Sequence, residues 1–306
     1  MFAQALGRLW TIGRLGITPP PPEPGRHGVA LAVILRNEAA RIGEWATFHL
    51  AAGARHLHVY DNGCTDATLP ILRDTVPAER LTVVPWRQNL SEAGLGREIH
   101  NQALAYAHAA SNFGGAYRWM GFIDADEFLI PTRAASLDEA LAHLGPEVRS
   151  LSLPWHMFGR SGHARTPEGG VVRNFRKRAA DPMSDVRGVR QFKCLADPCH
   201  LTAVGVHAMQ VDGHSDTWND RGERVAIGRR ERPDFYSVDH LQLNHYYTGS
   251  EEELAAKIGR GPNLAGKRTA YERKVMRTVR NIEAEEVEDL AAVDYLARIG
   301  PGRADA

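Results

Sequence analysis

Three cysteines in 306 residues, Cys64, Cys194 and Cys199, are too few for a disulfide framework and suit a reducing compartment. Cys194 and Cys199 stand near His200 and His207, but the spacing follows no standard zinc pattern, so they read as buried thiols. Net charge is absent too, with Lys+Arg 37 against Asp+Glu 37. That removes whole-molecule attraction to nucleic acid or an acidic membrane, and no nucleic-acid partner is expected. No apolar run approaches the roughly 20 residues that span a bilayer. No internal repeat occurs. No G-x-G-x-x-G follows the first strand-like run; RNEAAR (36–41) stands there, which argues against a nicotinamide-linked oxidoreductase.

What is present is an alternation. MFAQALGRLWTIGRLG opens the chain with Phe2, Leu6, Leu9 and Trp10 near helical spacing and Arg8 and Arg14 between them. This arm (1–17) is amphipathic enough to touch a membrane surface, with docking on its own domain as the plainer reading. TPPPPEPG (18–25) is a stiff spacer, so 18–28 reads as a linker. From Val29 onward, VALAVIL (29–35), HLHVYD (56–61), LTVVPW (81–86) and WMGFID (119–124) are strand-like. Helical offsets lie between them, including Ile42, Trp45, Ala46, His49 and Leu50, and later Leu95, Ile99, Ala103 and Tyr106. His49 falls on an apolar stripe and reads as core. The alternation predicts an α/β fold with a mostly parallel sheet flanked by helices. After Pro131 come a short helix (136–144), strand-like runs near 171–175, 190–196, 201–209 and 234–243, and an arginine-rich surface loop over 212–233. Helical segments close the chain.

In an open parallel sheet, ligands sit beyond the carboxyl ends of the strands. Arg36-Asn37-Glu38, Asp61-Asn62-Gly63 and Asp124-Ala125-Asp126-Glu127 all fall there. Asp-x-Asp at a strand end suits a hard divalent cation, Mg²⁺ or Mn²⁺, held by one or two carboxylates plus phosphates and water. The competing reading is a solvated turn with Asp126 as a helix cap, disfavoured by the apolar flanks in GFIDADEFLIP (121–131).

VILRNEAARIGEWATFHLAAGARHLHVYDNGCTDAT, GFIDADEFLIP and LNHYYTGSEEELAAKIGRG together resemble the GT-A nucleotide-sugar glycosyltransferases, in the family 2 / family 92 (DUF23-type) group. The resemblance covers about 29–262, within which 29–131 would be the nucleotide-binding half and 132–262 a mixed acceptor half, leaving 263–306 as a helical extension. It implies a monosaccharide moved from a UDP-linked sugar to a glycan or lipid-linked acceptor, with inversion. Glu38 and Asp61 would meet the nucleoside, although a helix first turn explains Glu38 and a tight turn explains Asp61. Arg97 and Asn101, one helical turn apart, would approach the nucleotide. Asp124 and Asp126 would bridge the diphosphate through the metal. The third metal ligand would be His245 first or His207 second. Lys193 and Lys257 would meet phosphates, with solvated lysine as the default.

An inverting transferase needs a base to deprotonate the acceptor hydroxyl. Glu127, Asp185 and Asp239 are the candidates, and spacing separates none of them. WHMFGRSGH (155–163) resembles an acceptor-side segment, which brings in Trp155, His156 and His163. Trp155 could stack on a sugar ring or fill the core. Two rivals remain: a metal-dependent phosphohydrolase of nucleotide sugars, which uses similar acids but usually two metals, and a non-catalytic sugar-binding protein. The expected setting is cytoplasmic, with residues 1–17 able to contact the inner face of the membrane.

Overall fold

The computed structural model describes residues 11–260 and 268–300. The expectation for Phe2, Leu6, Arg8, Leu9 and Trp10 lies outside the described residues. In chain order come β1 (Arg14–Gly16), β2 (Val29–Leu35), α1 (Ile42–Ala51), β3 (Ala54–Asp61), α2 (Thr68–Thr75), β4 (Leu81–Pro85), α3 (Asn101–Phe113) and β5 (Trp119–Phe122). Then follow β6 (Glu127–Pro131), α4 (Leu137–Leu141), β7 (Ser150–Met157), α5 (Val171–Asn174), β8 (Lys177–Ala179), β9 (Phe192–Ala196), β10 (Leu201–Gly205) and β11 (Met209–Val211). The rest are β12 (Asp216–Trp218), β13 (Arg224–Ala226), β14 (Leu241–His245), α6 (Glu251–Arg260), α7 (Arg268–Glu283), β15 (Glu286–Glu288) and α8 (Ala291–Ile299).

One sheet organises the molecule, in the order β13-β12-β7-β9-β5-β2-β3-β4, with β14 and β6 joined to it through β7. β4, β3, β2 and β5 are parallel, as the alternation predicts. β2 is buried at every position but Ile34, the pattern of a strand covered on both faces. β3 and β4 extend the sheet to one side of β2, whereas β5 lies on the other. The gap between β2 and β5 is therefore the topological switch point, the place beyond the strands' carboxyl ends where open α/β sheets take their ligands. Beyond β5 the sheet turns mixed. β9 runs antiparallel to β5 and β7, and β14 runs antiparallel to β6 but parallel to β7.

Four local expectations are corrected. The helix expected from about Leu95 starts at Asn101. Residues 88–100 form a loop in which the Glu92 carboxylate takes the Gly94 and Leu95 N–H groups, and Gly96 sits at φ +65°, a conformation that ends helical propagation. The strand expected at 171–175 is α5, because Glu44 of α1 accepts from the Val171 and Val172 N–H groups at its start. The expected loop at 212–233 contains β12 and β13, and its Arg230 is buried, donating to Ser152 Oγ at 2.9 Å and the His207 carbonyl at 2.7 Å. The proline-rich segment is no free spacer either. β1 before it pairs with β10, and Arg26 after it grips buried Asp197 with two hydrogen bonds of 2.6 and 2.9 Å. At the other end, β15 pairs with β8. Tyr295 of α8 is fully buried in the main core, so the C-terminal segment is part of the domain's packing.

Three histidines are locked neutral by this core. His49 donates from Nδ1 to the Trp45 carbonyl and accepts the Leu129 N–H at Nε2. Burial pushes it down to about 3, with the Trp45 carbonyl opposing. Burial, with His56 adding, takes His58 to about 3. Burial, aided by Arg178 and opposed by Asp289, takes His156 to about 3. Each binds a proton more readily unfolded than folded, so its stabilising contribution is complete above the ordinary histidine pKa and is lost as pH falls from there toward 3. Each is expected to cost about 1 kcal/mol between pH 7 and pH 5.5. Glu127, whose carboxyl is raised, acts in the opposite sense and offsets part of the sum. Urea unfolding at the two pH values should show the net loss, and His58→Phe should flatten it.

Candidate active site

The two loops after β2 and β3 are tied into one rim. Asn37, at φ +57°, accepts the Thr65 N–H on its side-chain oxygen, the Glu38 N–H donates to Thr68 Oγ1, and the Ala39 N–H donates to Asp66. The Asp61 carboxylate takes the Gly63 and Cys64 N–H groups. The turn reading therefore describes one of its oxygens. Asn62 accepts from Asn101 at the start of α3 at 3.2 Å. Arg36 is exposed on the same rim. Arg97 is placed otherwise than expected: it lies in the 88–100 loop, 3.5 Å from Glu92, not on a shared helical face with Asn101.

The Asp-Ala-Asp-Glu run lies between β5 and β6, at the switch point, and its three carboxylates have different surroundings. Asp124 keeps 32% of its side chain exposed and pairs with Lys193 of β9 at 2.9 Å. The Gln102 amide also donates to its Oδ1, and Tyr106 stands beside it. Burial pushes the Asp124 carboxyl up, but Lys193 outweighs this and holds it below the ordinary value. Lys193 is 1% exposed and lies 3.9 Å from Glu127. Burial opposes its charge, yet Asp124 and Glu127 together hold its pKa well above the ordinary lysine value. Lys193 therefore serves as counter-ion to the acids, not as the open phosphate ligand expected.

Asp126 faces the other way. Its Oδ1 is 3.3 Å from His245 Nε2, and its Oδ2 is 3.5 Å from Lys257 Nζ. Burial raises its carboxyl, but His245, Lys257 and Arg41 prevail and keep it well below the usual carboxylate range. Arg41 and Glu38 also act on Lys257 through charge. Lys257 donates to the Tyr247 carbonyl at 2.7 Å and lies 3.8 Å from that ring's centroid.

Glu127 is fully buried. Its Oε2 accepts the Asp124 N–H. Its Oε1 has no partner among the described residues, and neither does His245 Nδ1, yet the two atoms stand 3.8 Å apart. Burial drives the Glu127 carboxyl well above its ordinary value; Lys193 opposes this, while Asp124 and Asp126 add to it. Fully buried, Glu127 has no open path to an acceptor hydroxyl, against the expectation of a general base there; the polar atom facing its free Oε1 is His245 Nδ1.

Two further expectations fail on geometry. In the β6–β14 ladder Glu127 faces His245, whereas Leu241 faces Pro131. Asp239 precedes Leu241, so it lies at the far end of that ladder, about 14 Å or more from the acids, where it meets Arg133 and Arg221. His156 is fully buried and bonded through Nε2 to the Tyr236 hydroxyl at 2.9 Å. Successive strand residues face opposite sides, so it is Trp155 that packs on His245 and His207, with ring centroids 4.3 and 5.4 Å away. His207 Nδ1 is bonded to the Phe192 carbonyl; burial, with Lys193 adding, takes it down to about 4. His163 meets the Asn174 carbonyl. Asp185 is exposed on its loop. Gln102, Tyr106 and Arg41 were missed by sequence reasoning. The first two are four residues apart and joined at 2.8 Å on α3, a spacing readable once the true helix start is known.

The donors suit a divalent cation in part. Among the described residues no group of three His, Cys, Asp or Glu converges at ligand distance. However, Mg²⁺-type sites commonly use one or two carboxylates completed by phosphate and water. The 3.3 Å between Asp126 Oδ1 and His245 Nε2 is close to the roughly 3 Å expected between adjacent ligands at octahedral bond lengths. A ligating histidine usually donates its other N–H to a carboxylate, and unpartnered Glu127 Oε1 is the carboxylate oxygen facing His245 Nδ1, 3.8 Å away.

The sequence profile of glycosyltransferase family 92 matches residues 28–283. A family 92 protein of Oryza sativa subsp. japonica is 30% identical over 162 residues, covering 51% of this chain and 26% of that protein. A galactan beta-1,4-galactosyltransferase of Arabidopsis thaliana is 26% identical over 177 residues, covering 56% of this chain and 33% of that protein. The matches thus span about a quarter to a third of these relatives' length. Among solved structures, Staphylococcus aureus TarS with UDP is 15% identical at a TM-score of 0.35, covering 89% of this chain and 70% of that one. A Pyrobaculum calidifontis mannosyltransferase with GDP-Man and Mn²⁺ is 23% identical at 0.32, covering 50% and 41%. Scores this low carry no inference about activity. From the residue before β2 to the end of α7, the profile spans the main sheet and the acidic run between β5 and β6, and the chain belongs to glycosyltransferase family 92.

Proposed function

We propose that this domain transfers a monosaccharide from a nucleotide sugar, UDP-linked, to a hydroxyl of a glycan or lipid-linked acceptor, assisted by Mn²⁺ or Mg²⁺. The observation that carries the reading is the pairing of Asp126 with His245 at the switch point, with Lys257 and Arg41 beside it. Asp126 and His245 would hold the ion, completed by the donor's phosphates. When bound, such an ion supplies Lewis-acid stabilisation of the diphosphate that departs from the sugar. The protein's own part is positioning and charge. Lys257 and Arg41 add positive charge beside Asp126, Glu127 orients His245 through Nδ1, and the rim from Arg36 to Asn62 faces the nucleoside. Trp155 offers a flat apolar face to a sugar.

Inversion belongs to this proposal; of the three base candidates Glu127 is buried and Asp239 lies at the far end of the β6–β14 ladder, which leaves Asp185, exposed on its loop. The anomer of the first-formed product, read by proton NMR, decides it. A cytoplasmic setting rests on the three unpaired cysteines, and disulfides recovered under thiol-blocking isolation would contradict it. The main experiment is a thermal-shift series of nucleoside diphosphates with and without Mn²⁺. A metal-dependent rise in Tm with UDP is expected, as binding to the folded state alone must produce. The absence of any metal-dependent shift with every diphosphate would count against the reading.

A further inference from the structure

A second concave site lies at the opposite end of the parallel strands. A cavity of about 530 Å³ is lined by His27, Arg55, His56, Arg80, Tyr117 and Asp138, with Glu79 at its edge, a size ordinary for small-molecule sites. Arg55, His56 and Arg80 belong to the starts of β3 and β4 or the turn before them. Asp61, on the nucleotide side, is five residues further along β3 than His56, or about 17 Å. The two sites are separated by the length of the sheet.

The chemistry of the lining is unusual for an idle surface. Arg80 is fixed by the Ala54 and Arg55 carbonyls, and Arg55 by the His27 carbonyl. Among the described residues neither guanidinium has a carboxylate within ion-pairing distance, and this backbone pinning leaves N–H groups of both free to donate. Asp138 stands beside Arg55, its Oδ2 and the Arg55 Cδ both flanking Gly28, and it forms an ion pair with neither Arg55 nor His27; burial raises its carboxyl, opposed by the charges of both. Directly behind His56 and Tyr117 lies His58. Its ring stacks on His56 at 4.5 Å, on Phe113 at 4.5 Å, and stands edge-on to Tyr117 at 5.7 Å. It is 2% exposed, and neither of its ring nitrogens has a partner among the described residues. Buried polar atoms are rarely left unmatched without a reason.

We propose that this cavity is a second ligand site, distinct from the nucleotide crevice, that takes a small phosphate ester carrying free hydroxyls. Two pre-oriented guanidiniums recognise the phosphate. Asp138 and Glu79, in the same lining, accept from the ester's hydroxyl groups. The Tyr117 face covers the carbon skeleton.

Calorimetric titration of the purified chain with glucose 6-phosphate, inorganic phosphate and glucose tests this. Glucose 6-phosphate should bind, phosphate should bind more weakly, and glucose should give no heat. Arg55→Gln and Arg80→Gln should each weaken binding roughly tenfold, the size of one charge-assisted contact. Arg55 is exposed, so its variant guards against a folding effect of the Arg80 change. Asp126→Asn and saturating UDP should leave binding unchanged. No heat with glucose 6-phosphate up to millimolar concentration, indifference to Arg55→Gln, or loss in Asp126→Asn would each overturn the proposal. None of these outcomes depends on sugar transfer, so this site and the transferase reading fail separately.

Discussion

Replacing Asp126 by Asn is expected to lower sugar transfer by about 10³-fold or more while the protein stays folded, the scale seen when a group aimed at developing charge is removed. Asparagine keeps the volume and one acceptor oxygen but removes the charge that His245, Lys257 and Arg41 surround. The loss should fall mainly on kcat if the ion is retained by phosphate alone, and on both kcat and KM if it is lost. Asp126 is 22% exposed, so its replacement opens no cavity, but His245 and Lys257 lose their counter-charge and Tm should fall, while the far-UV signal at the assay temperature stays that of the folded protein. His245→Ala should act in the same direction. Turnover close to that of the unaltered protein in Asp126→Asn would remove the basis for metal assistance.

The second large effect concerns stability. Lys193→Met is expected to cost about 3–5 kcal/mol, because breaking a buried pair leaves an uncompensated charge. Lys193 is 1% exposed, 2.9 Å from Asp124 and 3.9 Å from Glu127, so methionine matches its packing and removes only the charge. Chemical denaturation should show the lower midpoint. Adding Asp124→Asn should recover more than half of the loss, because the stranded carboxylate is then gone. Lys193→Arg should not substitute, since the planar guanidinium does not fit a site built around a point charge. A full-strength midpoint in Lys193→Met would mean that the acids need no counter-ion.

The parallel half of the sheet was legible because a strand covered on both faces must be continuously apolar, as VALAVIL is, and because helical spacing placed Trp45 and His49 together. The acidic run was legible because GFIDADEFLIP puts carboxylates where burial would be costly without a use. The rest depends on partners distant in sequence. α5 exists through Glu44, 127 residues before Val171, and no local pattern reports that. Lys193 reads as any lysine until β9 inserts it beside Asp124, 69 residues away. Glu127 and Asp239 look equivalent as carboxylates, and only the register of β6 on β14 separates them. The apolar 95–106 stripe suggested a helix whose first half is abolished by Gly94, Gly96 and the carboxylate of Glu92.

One titration bears most directly on the whole scheme: UDP into the protein, with and without Mn²⁺, compared between the unaltered chain and Asp126→Asn. Binding that needs Mn²⁺ and disappears with the aspartate is the expected result. Equal UDP affinity in all four combinations would show that the Asp126–His245 pair does not hold the ion on which the diphosphate rests.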